Sequence, residues 1–175
     1  MSQKRVRLKR HSSMWKWRFR KEKALLWIAI RGHVLEIQHV GSTAIPGMIA
    51  KPIVDILAAV SDFERAFACV TPIEQLGYEY KGESEDPRQY YFVKGDPARY
   101  HLYLVERSGE AWVTRVAFRD TLICHPEIAR QYADLKQQLA LQFQDDLRAY
   151  QDGKLPFVEW VGELAAQAVG NCSRI

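Results

Sequence analysis

The sequence predicts an α/β protein, more narrowly an α+β one, with a mixed β-sheet core followed by a helical C-terminal part. Apolar runs with the residue types of β-strands recur between residues 33 and 106, and turns containing Gly, Pro or Asp separate them. From about residue 110 to about residue 170 the apolar positions recur with helical spacing instead. A chain of 175 residues can bury one core, so we expect a single domain over residues 1–175.

An amphipathic first helix is predicted over about residues 12–31, with Ser12 or Ser13 as its N-cap. Its buried stripe is predicted to consist of Trp15, Phe19, Leu26 and Ile30. The segment is also basic, since residues 1–23 hold ten of the 25 Lys and Arg residues but only one acidic residue. Its cations therefore either form the solvated side of the helix or contact nucleic acid and other anions.

The sheet is predicted to consist of five strands, over residues 34–40, 53–60, 78–80, 89–93 and 100–105. Residues 61–76 are predicted as a helix that Pro72 kinks or splits, with Phe63, Phe67 and Val70 facing inward. Three helices are predicted in the C-terminal part: one ending near Cys124, one from 125 to about 150, and one from 156 to about 169.

The composition argues against a membrane protein and against a disulfide-stabilised one. No apolar stretch approaches the roughly 20 residues that span a bilayer, and the basic N-terminus lacks a signal-type apolar segment, so we expect a cytoplasmic protein. The three cysteines are widely spaced and form no C-x-x-C pair. Neither a disulfide framework nor a zinc site is therefore expected.

One segment of the chain concentrates groups that bind phosphate; it covers residues 39–56 and reads HVGSTAIPGMIAKPIVDI. Gly41 allows the backbone to approach a ligand, while Ser42 and Thr43 offer hydroxyl groups and amides. Lys51 supplies a cation, and Asp55 is an isolated carboxylate within an apolar strand. An ordinary turn with an Asp55–Lys51 ion pair is one interpretation. The joint occurrence of these groups in one strand–loop–strand unit favours a phosphate-handling site.

Further candidate residues lie downstream of this segment. His101 lies in a predicted strand, where it is either structural or, with His39 and Asp55, a base, a phosphate donor or a metal ligand. Arg119 and Asp120 are neighbours on a helix, so one can reach a phosphate while the other orients a neighbouring group; the alternative is a surface ion pair.

Two lysines of the C-terminal part are also candidates. Lys136 follows Tyr132 by four residues on a helix, and Lys154 follows a glycine in the last loop. Each cation either lines the mouth of an anion pocket or is solvated.

The order of the motifs adds a resemblance to these interpretations. The segment 39–56 is followed by FRD at 118–120, HPE at 125–127, YADLK at 132–136 and AYQDGK at 149–154. On these motifs the chain resembles the GrpB family, which belongs to the nucleotidyltransferase-like superfamily. The resemblance extends over most of the chain, and it implies a nucleotidyltransferase-like mixed-sheet core followed by helices.

The resemblance also implies a metal site, with one departure. In the nucleotidyltransferase fold a Gly-Ser turn follows the first strand, and acids on the next strand, usually Asp-x-Asp, hold divalent cations. Asp55 matches the first acid and would coordinate Mg²⁺ or Mn²⁺, whereas Leu57 stands where the second acid is expected. Tyr103 stands where many relatives have a second histidine.

The function that this resemblance implies is the binding of a nucleoside triphosphate with a divalent metal ion, and transfer of a nucleotidyl group to an unidentified acceptor. The catalytic candidates are His39, Asp55 and His101, and the nucleotide-binding candidates are Gly41, Ser42, Thr43, Lys51, Arg119, Asp120 and Lys136. Two alternatives stay open. The pocket holds a nucleotide or a coenzyme A-type phosphate ligand without catalysis, which the missing second carboxylate favours, or the basic helix binds nucleic acid.

Overall fold

The computed structural model describes residues 5–83 and 88–172, with side chains described up to residue 167. Its strands are β1 (Val34–Val40), β2 (Val54–Val60), β3 (Glu79–Glu83), β4 (Gln89–Lys94) and β5 (Tyr100–Glu106). Its helices are α1 (Ser13–Ile30), α2 (Val70–Gln75), α3 (Glu110–Cys124), α4 (Pro126–Gln142), α5 (Leu147–Asp152) and α6 (Leu155–Cys172). Two short 3₁₀ segments cover Ser42–Ala44 and Phe63–Cys69.

The strands form one mixed sheet in the order β1-β2-β5-β4-β3. β2 and β5 are parallel, whereas β1 pairs with β2, β4 with β5 and β3 with β4 in antiparallel fashion. Both faces of β2 are buried, in the clusters on the two sides of the sheet, and this explains why its sequence is almost continuously apolar. The predicted α+β class with a mixed sheet is confirmed.

Helices cover the sheet on both faces. On one face α1 and α2 pack over a core that includes Leu26, Ile30, Ile37, Ile56 and Phe92. On the other face α3 packs over a smaller cluster of Val40, Leu57, Ala59, Val105 and Trp112. α4 and α6 then pack against α3. Successive side chains along each strand point to opposite faces of the sheet, so odd-numbered and even-numbered residues of β2 join different clusters.

The first helix forms where the sequence predicts it. The Ser12 hydroxyl accepts a hydrogen bond from the Met14 amide at 3.3 Å, as an N-cap does. Trp15, Leu26 and Ile30 are buried, and Phe19 packs against the same core. The predicted helix and its buried stripe are confirmed, but its outer side carries the exposed apolar residues Trp17, Trp27 and Ile28 as well as cations. The interpretation that it binds nucleic acid stays a prediction.

Residues 61–76 are split, which is one of the two predicted effects of Pro72, but the first part is a 3₁₀ segment and the break lies before Val70. A continuous α-helix would require an amide donor at position 72, which Pro72 lacks, whereas in the first turn of α2 no donor is needed there. The preceding 3₁₀ segment has three residues per turn, so Phe63, Ala66 and Cys69 face the core. Phe67, predicted to face inward, is 65% exposed as a result.

The helix predicted from 125 to about 150 is interrupted between Gln142 and Leu147. The Asp146 carboxylate accepts a hydrogen bond from the Ala149 amide at 3.0 Å and starts α5 as an N-cap. The Gln144 carbonyl accepts a hydrogen bond from the Val6 amide at 2.8 Å, so the N-terminal segment pairs with the chain at this break. The prediction of the last helix is confirmed in α6.

The described residues bear on the predictions about membrane spans and cysteines. None of the helices in the described ranges is both long and apolar enough to cross a bilayer. Cys69 is a buried free thiol and Cys124 an exposed one.

Candidate functional site

The candidate site lies at the edge of the sheet where β1 ends and where β2 and β5 begin. Asp55, the second residue of β2, is paired with Val40 on one side and with His101 on the other. Its side chain belongs to the face of the sheet that α3 covers, because it shares the parity of Leu57 and Ala59. A cavity of about 480 Å³ opens there between the sheet, α3, α4 and the start of α6.

Gly41 forms the turn that brings the backbone against Asp55. Its φ and ψ are 69° and −175°, a combination that is accessible almost only to glycine. A β-carbon at this position would lie 3.0 Å from the Asp55 carboxyl carbon and would overlap one carboxylate oxygen. The close approach of loop and carboxylate therefore depends on the absence of a side chain at position 41.

Asp55 and His101 form a carboxylate–imidazole pair in the wall of this cavity. The Nδ1 atom of His101 lies 3.1 Å from an oxygen of Asp55, and both side chains are largely buried. The pair forms because the parallel register of β2 and β5 places the two residues side by side. The ring of Tyr91 packs edge-on against His101, with 5.5 Å between the ring centroids.

Lys136 reaches the Gly-Ser turn from α4 and is almost completely buried, with 2% of its surface exposed. Its ammonium group donates to the Ser42 hydroxyl at 3.0 Å and to the Ile49 carbonyl, and it lies 4.6 Å from the centre of the Tyr132 ring. Burial, with a contribution from Lys154, lowers the pKa of Lys136 to about 7. This residue ties the loop to the helical part of the chain.

Two further lysines line the same cavity. Burial lowers the pKa of Lys51, while the nearby Asp55 opposes this shift. Burial also lowers the pKa of Lys154 to about 8; the charge of Lys51 adds to this effect and Asp55 opposes it. The lysines are thus close enough to repel one another, and a bound anion would relieve this repulsion.

The structure brings eight of the predicted site residues to the cavity wall: Gly41, Ser42, Thr43, Lys51, Asp55, His101, Lys136 and Lys154. His39 instead stacks on Phe19 of α1, with the ring centroids 4.7 Å apart, on the opposite face of the sheet. Its Nε2 atom lies 3.0 Å from the Thr43 hydroxyl, and burial lowers the pKa of His39 to about 4. His39 therefore contacts the loop through Thr43 from the face of the sheet opposite the cavity.

Arg119 and Asp120 lie outside the residues that form the cavity wall. The Arg119 guanidinium donates to the Gln38 side chain and to the His39 carbonyl, each at 2.8 Å, and it pairs with Asp120 at 2.7 Å. Asp120 is half-exposed and Arg119 is nearly buried. Together they anchor α3 to the end of β1, and so they fix the position from which the Gly41 turn starts.

Sequence reasoning missed Arg115, Tyr91 and Tyr150 of the cavity wall. The Arg115 guanidinium lies 4.1 Å from the centre of the Tyr103 ring and donates to the Gln89 side chain. Tyr91 stacks on Tyr103, with 5.1 Å between the ring centroids. The sequence carried a signal for this wall. Tyr91 and Val93 are two residues apart on β4, and His101 and Tyr103 are two residues apart on β5. Residues two apart on a strand share a face of the sheet.

The side chains present do not fit a divalent cation site that the protein alone holds. Mg²⁺ and Mn²⁺ prefer several oxygen ligands in octahedral geometry. Asp55 is the one carboxylate among the described residues that line the cavity. Leu57 is buried in the cluster under α3, and no group of three His, Cys, Asp or Glu side chains suited to a metal exists within the described ranges.

Comparisons with known proteins give consistent results. A family model described as "GrpB protein" matches residues 5–163. The UPF0157 protein YqkA of Bacillus subtilis (strain 168) is 36% identical over 159 residues, which are 90% of this chain and 46% of that protein. The glutamate-rich protein GrpB of Alkalihalophilus pseudofirmus is 34% identical over 155 residues, 85% of this chain and 89% of that protein. This chain thus spans about half the length of YqkA.

The crystal structure of conserved protein GrpB from Enterococcus faecalis is also similar to this chain. Its TM-score is 0.86 at 28% sequence identity, and the match covers 93% of this chain and 99% of that one. Fold and site together define a class of α+β proteins that carry a lysine-lined cavity at the edge of a mixed sheet. Within this class, the chain belongs to the GrpB family, as the matches over most of its length show.

Proposed function

We propose that this protein binds a phosphate-bearing small molecule in the cavity at the sheet edge. The ligand is a nucleoside triphosphate or a compound of coenzyme A type, and lysine side chains neutralise its phosphates. The convergence of Lys51, Lys136 and Lys154 from three separate segments carries this proposal. The cavity volume of about 480 Å³ lies within the range of about 300–1,000 Å³ that is typical of small-molecule sites.

The burial of like charges explains why this cavity should bind an anion. Each lysine has a lowered pKa, mainly because burial disfavours its charged form. A cluster of this kind costs stability in the free protein, and a polyphosphate recovers this cost by pairing with the protonated amines. Gly41 and Ser42 add a turn at which backbone and hydroxyl groups approach the ligand.

Thermal unfolding with added ligands tests this proposal. We expect tripolyphosphate, ATP or coenzyme A to raise the unfolding temperature without added metal, because a ligand that binds only the folded state stabilises it. Lys51→Met and Lys154→Met should each weaken the binding about tenfold to a hundredfold, since charged hydrogen bonds contribute about 1.5–3 kcal/mol. Lys16→Met, at an exposed position on α1, is the matched control. An equal loss in the control, or no shift with any of the three ligands, contradicts the proposal.

Asp55→Asn distinguishes lysine-based binding from metal-based binding. If a metal held by Asp55 bridges to the phosphates, the substitution should abolish the shift with Mg²⁺ or Mn²⁺. If lysines hold the phosphates, as we propose, removal of the only described carboxylate in the wall should preserve or strengthen the metal-free shift. The measurement is the ligand-induced shift at pH 6.5, where the lysines are more fully protonated, with and without the metal.

A further inference from the structure

The Nε2 atom of His101 has no role in the proposed binding of phosphate. The Nδ1 atom of the same ring lies 3.1 Å from an Asp55 oxygen. An ionised carboxylate only accepts hydrogen bonds, so Nδ1 carries the proton and donates it to Asp55. The lone pair of a neutral ring is then on Nε2. His101 is therefore held as the tautomer that can act as a nucleophile through this atom.

A second carboxylate–histidine pair in the chain shows what is particular about the first. His125 Nδ1 lies 3.1 Å from a Glu127 oxygen, the same distance, yet both side chains are more than half exposed. His101 and Asp55 instead line a cavity whose wall also carries Lys51, Lys136 and Lys154. The first pair is placed beside three cavity lysines, which attract phosphate and stabilise a leaving oxygen, whereas the cation near Glu127 is the exposed Arg130.

We infer that His101 is a nucleophile that attacks a phosphorus atom of the bound ligand through Nε2 and forms a covalent phosphorus–nitrogen intermediate. This inference rests on the proposed binding of a phosphate ester or anhydride in the cavity. It gives the site a transfer chemistry in which the lysines perform the charge neutralisation that a divalent cation performs in other phosphoryl-transfer sites.

The two steps balance without a further cofactor. In the first, the Nε2 lone pair forms the N–P bond, and the P–O bond to the leaving group (pyrophosphate or ADP from ATP, acetate from acetyl phosphate) breaks with its electron pair on the leaving oxygen. The ring then carries a positive charge, which the Asp55 carboxylate compensates through the Nδ1 proton. In the second, the oxygen of water or another hydroxyl acceptor forms a P–O bond, the N–P electrons return to Nε2, and the acceptor releases its proton to solvent.

Asp55 acts in this reaction as a positioning residue for His101. In Asp55→Asn the side chain can donate through its amide nitrogen, which favours an unprotonated Nδ1 and moves the proton to Nε2. The lone pair would then lie on Nδ1, beside the substituted side chain, and Nε2 could not act as the nucleophile. The substitution should therefore retain metal-free ligand binding while it slows formation of the covalent intermediate, and a purely electrostatic role in binding predicts no such separation.

The test is intact-protein mass spectrometry after incubation with ATP or acetyl phosphate, quenched under alkaline denaturing conditions that preserve phosphorus–nitrogen bonds. ATP labelled at its α- or γ-phosphate distinguishes a nucleotidyl adduct from a phosphoryl adduct. His101→Asn is the test variant, and His125→Asn is the control, because it removes the exposed histidine of the matched pair. Thermal shifts on the same samples report binding independently of the adduct.

We expect an acid-labile adduct on His101 in the wild type and in His125→Asn, no adduct in His101→Asn, and at least a tenfold slower adduct formation in Asp55→Asn. Binding without an adduct, or an adduct that persists in folded His101→Asn, overturns the inference and leaves the binding function intact. Absence of any ligand-induced shift overturns the proposed function itself, and the inference with it.

Discussion

Replacement of Lys136 by methionine is expected to remove about 3 kcal/mol of the pH dependence of folding stability between pH 6 and pH 9. Burial, and secondarily the charge of Lys154, lowers the pKa of Lys136 from 10.5 to about 7. Between these two values the unfolded chain binds a proton that the folded chain does not. The contribution of Lys136 to the free energy of unfolding therefore rises as the pH rises above 7, at about 1.4 kcal/mol per pH unit. Below pH 7 both states hold the proton and this contribution to the slope vanishes.

Urea denaturation at pH 6, 7, 8 and 9 measures this effect. The substitution also deletes the hydrogen bonds to Ser42 and to the Ile49 carbonyl, but that loss changes the level of the stability curve more than its slope. Lys16→Met, which removes an exposed lysine, should leave the slope unchanged. Parallel curves for the wild type and Lys136→Met would mean that Lys136 stays protonated in the folded protein throughout this range.

Gly41→Ala is expected to lower the free energy of unfolding by about 3 kcal/mol or more and to weaken ligand binding, because the Gly41–Ser42 turn that approaches the phosphates must shift. Two costs add at this position. The backbone at φ 69° and ψ −175° is strained for any residue with a β-carbon. That β-carbon would also overlap the Asp55 carboxylate, so Asp55 must move and its contact with His101 is lost.

Gly47→Ala is the matched control for this prediction. Gly47 also has a positive φ, of 75°, but nothing lies within 4 Å of the place where its β-carbon would be. It should cost about 1–2 kcal/mol through the backbone alone. Gly47→Ala reports the cost of a positive φ without an overlap, and the overlap itself is measured by how far the cost of Gly41→Ala shrinks when Asp55→Ala is added. Equal costs in the two single variants would show that the contact between loop and carboxylate is unimportant.

The local part of the site could be predicted from the sequence. Gly41, Ser42, Lys51 and Asp55 lie within one strand–loop–strand unit, so chain connectivity alone brings them together. His101 was also within reach, because its strand carries the polar residue at the position that faces Asp55 once the two strands pair. The first pattern is local in the chain, and the second is the alternation of side chains along a single strand. Both can be read directly from the sequence.

The remainder depends on how distant elements pack. The spacing of the first strand does not reveal that His39 points to the face that α1 covers, since the register is fixed by pairing with β2. Arg119 has the residue type of a phosphate ligand, but its guanidinium donates to the Gln38 side chain and to the His39 carbonyl instead. Likewise, the interruption after Gln142 follows from capping by Asp146 and from pairing of Gln144 with Val6, which is far away in sequence.

The parallel pairing of β2 with β5 has a consequence for the folding pathway. Asp55 and His101 are neighbours in the sheet, but the chain between them contains α2, β3 and β4, so their contact closes a long loop. Lys136 and Lys154 join the cavity only after α4 and the start of α6 have docked. Contacts of such high sequence separation form late and slowly. A nascent chain therefore acquires this cavity only near the end of folding, and incomplete chains that stop before α4 contain Lys51 but lack Lys136 and Lys154.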